Sequence, residues 1–357
     1  MVIKMNKKIL CFSIFLVFKA LCVNELQIIS GIEEFLCSQQ SLPKTERFSG
    51  AILLAKKGRI IFRKANGNAA FTGEVPNNLN TKFYLGSVSD LFISTSIYQL
   101  AQKKRISLDD PISKYLNCHW GSSKAFKEIT ILQLLTHTSG FGNLSLNTRY
   151  SKISDFQKLI QKEKLHYYPG CSQSYSNIGY ILLAAIIEEV SQESYCSYVK
   201  KNIFDKAGMH DTGFYISENN HANEAYGYAC KGASLQQFNY GTNNFSAFST
   251  VLDMFYFSQF LQTEQLNTLL LNITTKPSAH NINCTKGNWN PFGFKMWKSP
   301  DVAGLMGSSS GANAFFGIFL KEGYALVLFA NISNGQDVHL LKKVYQLLGY
   351  SLPNYNF

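Results

Sequence analysis

Apolar residues recur with one period at the two ends of this chain and with another in its middle, and this distribution constrains the fold more than any single motif. Ser49–Ala55 and Arg59–Lys64 are β-prone runs joined by Lys56-Lys57-Gly58, the spelling of a hairpin. Toward the other end, Phe292–Trp297, Ala314–Leu320 and Tyr324–Asn331 read as strands, the last two linked by Lys321-Glu322-Gly323. Between these regions the period lengthens. A helix is expected from Ser87 to about Lys103, a buried one over residues 131–136, and a long one over residues 178–200. Residues 25–40 (Leu26, Ile29, Ile32, Leu36) and Asp337–Leu348 supply a helix near each terminus, and Asn66–Asn80 reads as a loop. The expectation is an α/β (α+β) fold. Its mostly antiparallel sheet draws on residues of about 25–86 and 290–357, is flanked by the terminal helices, and has a helical insertion at about 105–285.

The chain of 357 residues is 46% hydrophobic and 16% charged, which supports a packed core and excludes global disorder. Its first 22 residues carry Lys4, Lys7, Lys8 and Lys19 and no acid, then an apolar run from Ile9 to Phe18 and small residues at Ala20 and Cys22. That order reads as a secretory signal, with an uncleaved anchor as the alternative, and the export it implies is periplasmic or extracellular. Leu21 before Cys22 disfavours a lipid anchor. Without those residues the net charge of +11 falls to +7, spread over the chain without long basic runs, so nucleic acid is not an expected partner. After signal cleavage no segment is long and apolar enough for an integral membrane protein. Cys37, Cys118, Cys171, Cys196, Cys230 and Cys284 contain no Cys-x-x-Cys and no zinc spacing, and their pairing is open. Asn143, Asn244, Asn272, Asn283 and Asn331 head Asn-x-Ser/Thr sequons.

Several short stretches then fall in one order. They are Phe83-Tyr-Leu-Gly-Ser-Val-Ser-Asp90, Leu108-Asp-Asp-Pro-Ile-Ser-Lys-Tyr115, Leu134-Leu-Thr-His-Thr-Ser-Gly140, Tyr168-Pro-Gly170 leading to Tyr175-Ser-Asn177, Tyr198-Val-Lys-Lys-Asn-Ile-Phe204, Phe248-Ser-Thr-Val-Leu-Asp253 and Gly304–Phe315. From about residue 48 onward the chain resembles the serine β-lactamase and penicillin-binding-protein superfamily, in particular relatives of the class C β-lactamases. The resemblance implies the β-lactamase/transpeptidase-like fold and acyl transfer from an amide, ester or β-lactam without metal or organic cofactor. It also implies a small-molecule or cell-wall peptide ligand. By position it makes Ser87 the nucleophile, Tyr175 and Asn177 the Tyr-x-Asn pair, and Ser87 and Gly311 the donors to an oxyanion. Ser308-Ser309-Ser310 falls at the third motif, which in the family reads His-x-Gly or Lys-Thr-Gly. His137 falls in a stretch that is chiefly structural in the family.

Two positions depart from the family. Asp90 replaces the lysine of Ser-x-x-Lys, and the third motif has lost its cation. A carboxylate near Tyr175 raises the phenol's pKa, opposite to what a tyrosine base needs. Ser41-x-x-Lys44 and Ser197-x-x-Lys200 have the right spelling in the wrong context. Ser87-x-x-Asp90 is also close to a helix capping box, and a buried Asp90 is a candidate general base. Three functions stay open: a serine hydrolase with altered base chemistry, a weakened or inactive homologue that binds a cell-wall peptide, and a scaffold for a protein partner.

Overall fold

The computed structural model describes residues 25–144, 152–215, 223–231, 234–238, 243–262, 295–296 and 302–352. The expected signal segment and most of the strand expected at Phe292–Trp297 lie outside them. Helix α1 (25–38) leads into β1 (Gly50–Lys56), β2 (Arg59–Asn66), β3 (Asn68–Ala70), β4 (Val75–Pro76) and β5 (Phe83–Tyr84). Next come α2 (Asp90–Gln102), α3 (Lys124–Glu128), α4 (Ile131–Leu135), α5 (Gln157–Ile160), α6 (Asn177–Ser191), α7 (Tyr195–Val199) and α8 (Asp205–Ala207). The chain continues through β6 (Gly213–Tyr215), β7 (Gly227–Lys231), β8 (Ser234–Phe238), β9 (Asn243–Ser249) and α9 (Val251–Leu261). It closes with β10 (Lys295–Met296), β11 (Val302–Ser309), β12 (Ala312–Phe319), β13 (Tyr324–Ala330), β14 (Ile332–Ser333) and α10 (Gln336–Leu347).

The main sheet runs β10-β11-β12-β13-β1-β2 with every neighbour antiparallel, so strands from both chain ends meet at the β13–β1 pair. Both faces of its centre are buried, and residue alternation sends side chains to opposite sides. Ile52, Leu54, Leu326 and Leu328 pack with Ile28, Ile32 and Leu36 of α1 and Leu340, Leu341 and Val344 of α10. Ala51, Leu53, Val327 and Phe329 face α2 and α9 in the larger core. Burying one such aliphatic side chain contributes about 1.5–3 kcal/mol. Helix α2 is apolar nearly all round, with Leu91, Phe92, Ile93, Ile97, Tyr98 and Leu100 buried, because it runs through the centre between sheet and helical layer.

The structure differs from the sequence-based expectation in identifiable ways. The helix expected over 178–200 breaks at Gln192, which is left-handed (φ 61°), and restarts behind the N-cap of Ser194. Strand β11 was missed because Gly304, Gly307, Ser308 and Ser309 dilute its apolar alternation. Strands β6 to β9 lie inside the region expected to be helical, and the Asn66–Asn80 loop contains the β3–β4 pair. Asn331 is 1% exposed and its amide is fully engaged, so that sequon is not available to a glycosyl group. Cys37 and Cys118 are exposed free thiols. Among the described residues no helix is long and apolar enough to cross a membrane, and no cluster of His, Cys, Asp or Glu has the makings of a metal site.

Candidate active site

Ser87 lies in a 3-10 turn, Gly86–Ser89, that runs directly into α2. That position sets its backbone N–H at the start of a helix, where donors lack intrahelical partners and the dipole favours negative charge. The Ser87 Oγ lies 2.8 Å from the Tyr175 hydroxyl, and that hydroxyl donates to Asp90 Oδ2 at 3.2 Å. One helical turn separates Ser87 from Asp90, and Tyr175 reaches both from the segment preceding α6. The capping-box reading is therefore corrected. No side chain caps α2, because both members of the supposed box are turned toward Tyr175.

Electrostatics at this cluster follow from burial. Burial pushes Asp90 up to about 7, and the hydrogen bond from Tyr175 pulls the other way. The residue is itself half-buried, so its enclosure comes from neighbouring side chains rather than from complete exclusion of solvent. Tyr175 is raised well above 10, first by burial and then by the Asp90 charge. Burial raises Tyr84, Tyr180 and Tyr195 as well, and the Asp90 charge adds to each. A phenolate at Tyr175 is consequently disfavoured. Burial holds His137 down to about 3, so it is neutral, and its Nδ1 accepts the Ser176 N–H. His137 stacks on Tyr180 and packs beside Tyr175, which fixes both rings; its role here is structural.

The strand beside Ser87 is β11, and the residue in contact is Gly307. A Cβ built there would stand 2.1 Å from Leu85 O and 2.7 Å from Ser87 N. Gly86, at φ +51°, faces back onto the Ser308 N at 3.1 Å from its own Cβ position. The sequence reading placed the third motif three residues too late, at Ser308-Ser309-Ser310. The structure instead brings Gly307 against the Ser87 turn, with Leu305 buried two residues before it. Ser310 and Gly311 instead make the β11–β12 turn. The Gly311 N–H is spent on Ser333 Oγ at 3.1 Å, which removes it as an oxyanion donor. Ser308 enters the site through its backbone N, while its hydroxyl donates to Asn313 Oδ1. Three glycines at 304, 307 and 311 left the register ambiguous in the sequence; Gly307 was missed because it follows two apolar residues and reads as core.

Replacing Gly307 by alanine is expected to displace the Ser87 turn. Contacts of 2.1–2.7 Å to backbone cannot relax by rotamer change. A stability loss of about 2 kcal/mol or more, measured by urea denaturation, should accompany loss of Ser87 reactivity.

Asn177 is not brought to the cluster. Its Oδ1 accepts the Leu144 N–H at 2.8 Å and its Nδ2 donates to Leu144 O at 2.9 Å, so the amide holds the loop after Gly140. Asp253 is structural too, accepting from Thr212 Oγ1 and the Asp211 N–H.

Comparison with known proteins places this geometry. The Beta-lactamase family profile matches residues 38–350. The chain belongs to the β-lactamase family. Among its relatives, a putative penicillin-binding protein PbpX of Bacillus subtilis is 32% identical over 84% of this chain and 75% of its own length. The teichoic acid D-alanine hydrolase of Staphylococcus aureus is 26% identical over 84% of this chain and 74% of its own. The crystal structure of a penicillin-binding protein from Bacillus halodurans superposes with a TM-score of 0.73 at 25% identity, covering 87% of this chain and 98% of the other. The protein therefore has the β-lactamase/transpeptidase fold and a serine-hydrolase-like site. In this family member a carboxylate, Asp90, stands one turn after Ser87, Leu305 is buried two residues before Gly307, and the Asn177 amide is engaged with Leu144.

Proposed function

We propose that this β-lactamase-family protein is an exported serine acyl hydrolase in which Ser87 forms an acyl-enzyme with an ester or amide carbonyl. The observation that carries the reading is the 2.8 Å contact between Ser87 Oγ and the Tyr175 hydroxyl at the start of α2. The Ser87 and Ser308 backbone N–H groups are the two donors for the oxyanion, in place of the pair expected from the sequence. Turnover is slower than in a lysine-bearing relative, because a carboxylate and a leucine stand where cations would stabilise developing negative charge. The same two residues leave a substrate carboxylate without a counter-ion, so penicillins and peptides ending in a free carboxylate fit poorly. Neutral or amine-bearing acyl groups fit better, and an aminoacyl group such as the D-alanine in the name of the Staphylococcus aureus relative is the leading class.

Intact-mass labelling tests this. The mature protein is expected to take up a fluorophosphonate stoichiometrically and a fluorescent penicillin slowly, and Ser87→Ala to take up neither. Absence of any adduct on the parent protein would overturn the reading. A second reading, ligand binding without turnover, is favoured by the engagement of the Asn177 amide with Leu144. Thermal stabilisation by peptidoglycan fragments with no Ser87 adduct would select it.

A further inference from the structure

We infer that Asp90 is the terminal proton acceptor of the site, taking the hydroxyl proton of Tyr175 as Tyr175 takes that of Ser87. This rests on reading Ser87 as the nucleophile. The directions of the two hydrogen bonds carry the argument. An ionised carboxylate only accepts, so the 3.2 Å contact commits the single Tyr175 proton to Asp90 Oδ2. With that proton committed, Tyr175 can only accept at 2.8 Å, and the Ser87 hydroxyl must donate to it. The Ser87 Oγ lone pairs are then left for a carbonyl. A lysine at position 90 would set the opposite polarity, with the tyrosine oxygen accepting from the cation.

The groups whose titration the Asp90 charge shifts are phenols, of which Tyr175 is its hydrogen-bond partner. Tyr84 comes from β5, Tyr175 from the segment before α6, Tyr180 from α6 and Tyr195 from α7. From its own helix, Ser94 donates to the Asp90 carbonyl. His137 lies behind Tyr175 and Tyr180 and is neutral. No ion pair among the described residues involves Asp90. Its basicity therefore comes from enclosure, and Tyr175 passes a proton on without ever holding a net charge.

The step balances. Ser87 Oγ bonds to the carbonyl carbon, the carbonyl π pair becomes an oxyanion, the serine proton moves to Tyr175 Oη, and the former Tyr175 proton moves to Asp90 Oδ2. On collapse the carbon–leaving-group bond breaks. The leaving alkoxide or amide takes a proton from Tyr175, which regains one from Asp90. Water then enters by the same relay and releases Ser87, so that the net reaction is hydrolysis.

The experiment is hydrolysis of p-nitrophenyl acetate by the mature protein from pH 5 to 9, with Ser87→Ala, Asp90→Asn, Tyr175→Phe and the Asp90→Asn/Tyr175→Phe double variant. A base must be deprotonated to act, so kcat/KM of the parent is expected to rise with pH through about 7 and then level. Asp90→Asn should lose about 10²-fold at pH 8 or more, together with that pH dependence. The double variant should be no slower than Tyr175→Phe alone, because the two residues act as one unit. Melting of Asp90→Asn at pH 8 no lower than the parent shows that the fold is intact. If Asp90→Asn keeps the parental rate and profile while Ser87→Ala is inactive, the relay is overturned and the hydrolase reading stands. If Ser87→Ala hydrolyses the ester as fast as the parent, the hydrolase reading fails and the relay falls with it.

Discussion

Asp90→Asn is expected to melt at a higher temperature than the parent protein at pH 8, and the gap is expected to close as the pH falls toward 4. The folded carboxyl titrates near 7, against an ordinary value of 3.8. Between those two values the folded state holds a proton that the unfolded chain has released. Stability from this group is therefore fully present below about pH 4 and is lost as the pH rises through 7. A carboxyl displaced that far upward loses about 4 kcal/mol at full effect. The half-buried position of the residue lowers the expectation to roughly 2–3 kcal/mol. Asparagine still accepts from Tyr175 but carries no charge to desolvate, so it removes the high-pH loss. The melting shift at pH 8 should be about 5 °C. Thermal melts of both proteins at pH 4, 6 and 8 check this. A constant gap at all three values would mean that Asp90 is ionised in the fold at ordinary carboxylate pH, and the proposed base would lose its chemistry. A site residue that costs stability in its working state is what an active centre tends to retain.

Asn331→Leu is expected to destabilise the fold by about 3–5 kcal/mol, the cost of stranding several buried polar groups at once. Asn331 is almost fully buried at the end of β13. Its Oδ1 accepts from Ser49 Oγ at 2.8 Å and from Asn77 Nδ2 at 3.3 Å. Its Nδ2 donates to Asn68 O at 2.9 Å and Tyr226 O at 3.0 Å. One amide thus ties the residue before β1, the start of β3, the residue after β4 and the segment before β7 to the end of β13. Leucine keeps the branched shape, is larger, and makes none of the bonds. Urea denaturation should show the midpoint drop with an unchanged slope. A change below about 1 kcal/mol would mean that water or backbone shifts satisfy these groups once the amide is gone.

The sheet drawn from both chain ends was legible because a buried strand repeats every two residues and a helix every 3.6, and both periods survive in the apolar pattern. The residues that meet at this cluster were legible as spelling, since Ser87, Asp90 and Tyr175 each stand at a fixed offset from recognisable neighbours. That no lysine stands one turn after Ser87 was equally plain. Spelling did not say where side chains point. Ser87 and Asp90 have the sequence of a capping box, and only the arrival of Tyr175 from residues 85 to 88 positions away turns them from the helix end toward each other. Asn177 sits correctly in its motif, yet the Leu144 backbone claims its amide. The glycine against Ser87 was not singled out, because only the packing of β11 on the Ser87 turn distinguishes Gly307 from Gly311. Local chemistry and period are written along the chain. The direction of a hydrogen bond, the enclosure that raises a carboxyl's pKa, and the choice among neighbouring glycines depend on atoms far apart in sequence, and those the tertiary structure decided.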